Sequence, residues 1–226
     1  MGRAMSMTLV IGNKNYSSWS LRPWLVLKAK GLAFDEELLP LFTPEFRARL
    51  AEITPAGRVP VLLDGAITVW DSLAIIEYLN DRHDAARVWP AETAARAQAR
   101  CIAAEMHSGF TALRGAMPMN CRKDLRGRVK MTDALKADID RIAAIWRDTR
   151  AEHGAGGPFL FGGFTAADAM FAPVASRFRT YGVDLDAAGA EYMDAILSMP
   201  EMKEWYAAAE AEPWVVNEDE LPDERA

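Results

Sequence analysis

Val61-Leu62-Leu63-Asp64-Gly65-Ala66-Ile67-Thr68-Val69-Trp70-Asp71-Ser72 is the stretch on which the reading of the fold turns. Two short apolar runs flank Asp64-Gly65, which is a strong signal for a β-hairpin. Asp71-Ser72 then caps a helix that carries Ile75, Ile76, Tyr78 and Leu79. Upstream, residues 8–12 read as a short buried strand. Leu21, Leu25, Ala29 and Leu32 recur at helical spacing, with Gly31 where that helix should stop. Phe34, Glu36 and Leu38 alternate as in a strand. Thr43-Pro44-Glu45 supplies a cap, a proline at the first helical position and an acid in the first turn. That helix ends before Pro55-Ala56-Gly57. The order is therefore β-α-β-α-β-β-α. A helix joins the first two strands, so they must be parallel; a tight turn joins the last two, so they must be antiparallel.

Downstream the composition changes. The charged stretch from Asp81 to Ala91, ending in Trp89-Pro90, reads as a linker. Alanine-rich sequence then predicts helices over 92–116, 132–152, 166–179, 189–198 and 201–210, broken at Gly154–Pro158. The expectation is an α/β unit over 7–83 followed by an all-helical unit over 92–216. Thr165 with Asp168 three residues on reads as a structural capping box. The acidic tail from Asn217 to Ala226 reads as frayed.

The chain has 226 residues, half of them hydrophobic, and a formal net charge of −6. That charge argues against a nucleic-acid backbone as partner. No apolar run approaches the ~20 residues of a membrane span, and Met1 to Met7 lacks the apolar core of a signal peptide. The default expectation is a cytoplasmic protein. Cys101 and Cys121 both fall in sequence that reads as helical. There is no CxxC and no metal-like spacing, so they read as ordinary buried or half-buried thiols and no metal is expected.

Asn15-Tyr16-Ser17-Ser18-Trp19-Ser20-Leu21-Arg22-Pro23-Trp24 follows the first strand and opens the first helix. Such a junction gathers unpaired N–H groups and the positive end of the helix dipole, which suits an anion. The glycines and lysine of a phosphate loop are missing; a sulfur anion is another candidate, and the residues downstream favour it. Proline is cheap only in a first turn, so Pro23 predicts a helix start near Ser20 or Leu21 with Ser17 and Ser18 in the loop facing it.

A small mixed α/β unit followed by helices, in this order and spacing, resembles the cytosolic glutathione transferases over nearly the whole chain. The run at 15–22 partly resembles the Ser-Ser-Cys-Ser-Trp-Arg-Val-Arg stretch of the zeta class. The resemblance implies a thioredoxin-like α/β domain plus an all-α domain. It also implies glutathione as co-substrate with no metal, a homodimer, and a hydroxyl that holds the glutathione sulfur as thiolate. Ser17 is the favoured hydroxyl, with Ser18 close behind and Tyr16 or Asn15 next. A thiol of pKa ~8.5 is only ~3% ionised at neutral pH. One hydrogen bond to the anion, worth ~1.5–3 kcal/mol, lowers that pKa by ~1–2 units, so no general base is needed. The resemblance further implies a cis Val59-Pro60 bond that turns the Val59 backbone toward the tripeptide. Arg58 falls near the glycine carboxylate, and Asp71 and Ser72 at the γ-glutamyl end.

The wall of the second substrate pocket is expected from the segment Glu105 to Asn120, with Met106, His107, Phe110, Arg114 and Met119 as candidates. Trp19, Trp24 and Tyr181 are further ones, and Arg22 and Arg114 could anchor an acidic substrate. The function implied is addition of the glutathione thiolate to a small electrophile. Alternatives are a zeta-like cis–trans isomerase of maleylacetoacetate type and a non-catalytic adaptor of the same fold. A thiol–disulfide reductase is disfavoured, because no cysteine stands at the strand–helix junction.

Overall fold

The computed structural model describes residues 7–83 and 87–221. The expected linker over 81–91 includes residues 84–86, which lie outside the described residues, as do residues 1–6 and residues 222–226 of the tail. The first unit runs β1 (Met7–Ile11), α1 (Ser18–Ala29), β2 (Phe34–Leu38), α2 (Pro44–Ile53), β3 (Val61–Asp64), β4 (Ile67–Trp70) and α3 (Ser72–Arg82). The sheet order is β2-β1-β3-β4. β1 pairs parallel with β2, Met7 opposite Phe34, and antiparallel with β3, Leu9 opposite Leu62. The β3–β4 hairpin closes at Asp64 opposite Ile67, with Gly65 at φ +61°. This is the thioredoxin-like arrangement, and its strand directions are those that the connections require.

Alternation along the strands divides the packing. Leu9, Ile11 and Leu62 face α1 and α3, where they meet Leu21, Leu25, Ile75 and Leu79. Val10 and Val61 face the other way, onto Phe46 and Leu50 of α2.

The helical unit comprises α4 (Thr93–Ser108), α5 (Thr111–Ala116), α6 (Asp133–His153), α7 (Ala166–Tyr181), α8 (Ala187–Ser198) and α9 (Pro200–Ala211). α7 is its axis: all but one of its residues are buried, and it packs against α1, α4 and α8. Trp146 of α6 meets Phe171, Phe178 and Tyr192 around it. At its start Thr165 and Asp168 form the capping box. Asp168 also accepts from Leu160 N and the Tyr192 hydroxyl, so this buried carboxylate ties three segments together. No helix among the described residues is long and apolar enough to cross a membrane.

Several local expectations are corrected. α1 starts at Ser18, so Pro23 lies in its interior. The proline removes one bond to the Trp19 carbonyl, but α1 is buried on nearly all sides, and packing overrides propensity. The helix expected over 92–116 is two helices, because Phe110 sits at φ +57° and interrupts the ladder. Cys121 lies in the loop after α5, buried, whereas Cys101 is exposed on α4. Val88 and Trp89 pack into the core, and Ala166 N–H donates to the Val88 carbonyl, so that end of the expected linker is fixed. The tail turns through a short 3-10 segment, Asn217–Asp219. Glu220 is then held by Lys123, Tyr16 and Asn120, so the described part of the tail is not frayed.

Candidate active site between the sheet and the helical layer

The loop from Gly12 to Ser17 links β1 to α1. A Cβ at Gly12 would lie 2.6 Å from Leu41 Cδ2, so a larger residue there would have to displace the Leu41 side chain. Ser17 is the N-cap of α1. Its hydroxyl donates to Ser20 Oγ at 2.7 Å and receives the Ser20 N–H at 3.4 Å, and Ser20 Oγ receives the Gly12 N–H. Ser18, the first helical residue, is bonded differently: its Oγ accepts from Arg177 Nη2 of α7 at 3.2 Å. Asn15 Oδ1 receives the N–H groups of Cys121 and Arg122, while its buried Nδ2 has no hydrogen-bond partner among the described residues. The Tyr16 hydroxyl donates to Glu220 at 2.6 Å; burial and that carboxylate push its pKa up.

Two cavities open here. One, of about 470 Å³, is lined by Tyr16, Ser17, Ser18, Trp19, Leu41, Phe42, Arg114, Met119, Arg177 and Asp219, among others. The second, of about 360 Å³, is lined by Ala56, Pro60, Trp70, Asp71 and Ser72. Trp19, Arg58 and Val59 line both, so they form one cleft along the edge of the sheet. The Val59-Pro60 bond is cis.

At the second cavity Asp71, at φ +75°, is the N-cap of α3; Oδ1 receives the N–H groups of Leu73 and Ala74. Its Oδ2 lies 3.2 Å from His107 Nε2. Ser72 follows as the first helical residue, fully buried, and its Oγ has no hydrogen-bond partner among the described residues.

Three arginines surround Trp19 and Ser18. The Arg22 guanidinium is 4.2 Å from the Trp19 ring centroid and that of Arg114 is 5.2 Å. Arg22 is fully buried, its Nε and Nη1 have no partner among the described residues, and its pKa falls to about 9 through burial and the nearby charges of Arg177 and Arg114. Burial lowers Arg177 to about 10 and draws Arg114 down as well. His107 stacks edge-on to Trp19, and burial holds it below its usual pKa while the Asp71 carboxylate pulls it upward. The cleft is thus electropositive despite the net acidic chain.

The structure gathers Ser17, Ser18, Arg58, Val59, Pro60, Asp71, Ser72, Arg114 and Met119 on this cleft. It places Met106 and Phe110 in the core, away from both cavities, and His107 behind Asp71. Trp24 is buried against Trp205, and the Tyr181 hydroxyl donates to the Pro118 carbonyl. Arg177 and Asp219 escaped the sequence reading. A lone arginine in the otherwise apolar stretch Met170–Phe178 was the available signal for the first, since such a cation is seldom buried without purpose.

A model of the glutathione S-transferase N-terminal domain matches residues 16–82, and one of the C-terminal domain matches residues 93–208. A probable maleylacetoacetate isomerase of Caenorhabditis elegans is 34% identical over 97 residues, 43% of this chain and 45% of that one, so the likeness spans less than half of either. A maleylacetoacetate isomerase of Rattus norvegicus is 28% identical over 181 residues, 75% of this chain and 77% of that one. Among solved structures, a glutathione transferase homologue from Burkholderia, with bound glutathione, superposes with a TM-score of 0.69. It is 24% identical and covers 92% of this chain and 100% of that one, which speaks to the fold. With both family models matched in order on the fold described above, the chain belongs to the glutathione S-transferase family.

Proposed function

We propose that the protein binds glutathione along the cleft and adds its thiolate to a small electrophile. The observation that carries this reading is the continuity of the cleft from Ser17 and Ser18 to Asp71 and Ser72 through Trp19, Arg58 and Val59. In this reading the γ-glutamyl carboxylate takes the Ser72 hydroxyl and the N-terminus of α3, and Asp71 pairs with the ammonium. The Val59 backbone pairs with the peptide as a short strand would. Arg58 meets the glycine carboxylate, and the sulfur lies at the start of α1 beside a serine. The electrophile rests against Trp19, Arg114, Pro118 and Met119. Thiolate stabilisation and proximity supply the rate enhancement.

A second reading, reversible addition to a cis double bond of an acidic substrate, is favoured by Arg114 and Arg177 on the same cavity and by the isomerase relatives. A homodimer and a cytoplasmic location belong to the same proposal; sedimentation velocity checks the first. The test of function is calorimetric titration with glutathione, followed by turnover of an activated chloronitrobenzene and of a cis-enedioic acid. Conjugation of the first supports the transferase and isomerisation of the second the isomerase. Absence of glutathione binding to folded protein overturns both in favour of an adaptor.

A further inference from the structure

We propose that Ser18 is the residue that holds the glutathione sulfur as thiolate, and that Arg177, reaching across from α7, is the positioning residue that prepares its hydroxyl. The inference rests on the glutathione reading above and assigns the roles within it.

The hydrogen-bond pattern separates the two serines. The proton of the Ser17 hydroxyl is already given to Ser20 Oγ, which in turn receives the Gly12 N–H. Ser17 Oγ also receives the Ser20 N–H as a cap. Using Ser17 on a ligand would unmake a buried network at the end of α1. Ser18 carries no such duty. Among the described residues its Oγ accepts from Arg177 Nη2 and donates to nothing, and Ser18, like Ser17, lines the larger cavity. A hydroxyl whose lone pair is engaged by a cation is a stronger donor, and its hydrogen points away from that cation. The guanidinium thus fixes the direction of the O–H as well as strengthening it.

Arg177 is itself held firmly. Nε donates to the Met117 carbonyl at 2.7 Å and Nη1 to the Pro173 carbonyl at 3.5 Å, the longest bond of the set. The remaining nitrogen, Nη2, is the one on Ser18. Arg177 is almost fully buried, yet it lines the cavity. The charges that face it are Arg114 from α5 and Asp219 from the C-terminal turn, with Tyr181 and Cys121 as titratable neighbours and Arg22 close by on α1. Its pKa of about 10 keeps it cationic throughout the range in which a bound thiol titrates. The balance is simple: the thiol proton leaves to solvent, the sulfur keeps the electron pair, and the Ser18 O–H donates to it without being transferred. Arg177 orients and polarises that hydroxyl and acts on the sulfur through it.

The test titrates the thiolate absorbance of bound glutathione against pH in the full chain, with affinity measured separately by calorimetry. Ser18→Ala and Arg177→Met are expected to raise the bound thiol's pKa by about one unit or more. Their combination should raise it no further than the larger single effect, because both act through one hydroxyl. Arg177→Lys keeps the charge without the fork and should recover part of the shift. Ser17→Ala should leave the pKa within a few tenths of wild type while lowering thermal stability. Should Arg177→Met fail to fold, the two serine variants and Arg177→Lys still decide. The inference is overturned if Ser17→Ala moves the pKa and Ser18→Ala does not, or if neither arginine variant moves it. Failure of the wild type to bind glutathione instead defeats the parent reading, and this one with it.

Discussion

Ser72→Ala separates a binding residue from a structural one, because the two roles predict opposite signs. Ser72 is the first residue of α3, fully buried, with no hydrogen-bond partner for Oγ among the described residues. Asp71 does the capping. A buried hydroxyl left unsatisfied costs about 1–3 kcal/mol in desolvation. Removing it should therefore leave the free protein as stable as before or up to about 1 kcal/mol more so, a rise of ~2–4 °C in melting temperature for a chain of this size. A hydrogen bond to the glutathione α-carboxylate contributes about 1.5–3 kcal/mol. Its loss should weaken binding about tenfold to about a hundredfold. The assay is a thermal melt of wild type and variant beside a calorimetric titration with glutathione. A lower melting temperature with unchanged affinity would refute the reasoning, since it would mean that the hydroxyl supports the helix and sees no ligand.

Asp168→Ala orphans the N–H groups of Leu160 and Thr165 and the Tyr192 hydroxyl; it should cost about 3–5 kcal/mol in urea unfolding, with any loss of activity explained by lost fold. Cys101 is exposed, whereas burial pushes the Cys121 thiol up to about 12, so a thiol reagent should modify one cysteine quickly in native protein and both in denaturant. Burial holds His107 below its usual pKa and Asp71 opposes that, so its NMR titration midpoint should lie below ~6.5 and fall further in Asp71→Asn. With its folded pKa depressed, His107 contributes stability that is present at neutral pH and lost as pH falls through that range.

The α/β half was legible because its signals are local. Asp64-Gly65, Thr43-Pro44 and Asp71-Ser72 each specify a turn or a cap within a few residues, and strand direction follows from what joins the strands. The helical half was legible as helices, and so was the break after His153, but the break inside 92–116 was not. The loop around Cys121 is set by docking onto the first unit, where Asn15 Oδ1 receives the Cys121 N–H, Phe110 takes φ +57° where no glycine stands to announce it, and Pro23 is tolerated because α1 is buried. Trp89 and Glu220 read as solvent-side residues because their partners are far away in sequence. The cleft divides likewise. Ser17, Ser18, Asp71 and Ser72 announce themselves as helix starts, whereas Arg177 and Asp219 reach the cavity only through the docking of α7 and the turn of the tail.

The most direct test of the central claim is the ionisation of bound glutathione, followed by the ultraviolet difference spectrum of the complex against pH. A free thiol ionises near ~8.5. In the complex, beside a serine donor on a cavity that Arg114 and Arg177 line, it should ionise at least about one unit lower. A titration that overlays free glutathione would contradict the claim, whatever the protein then proved to bind.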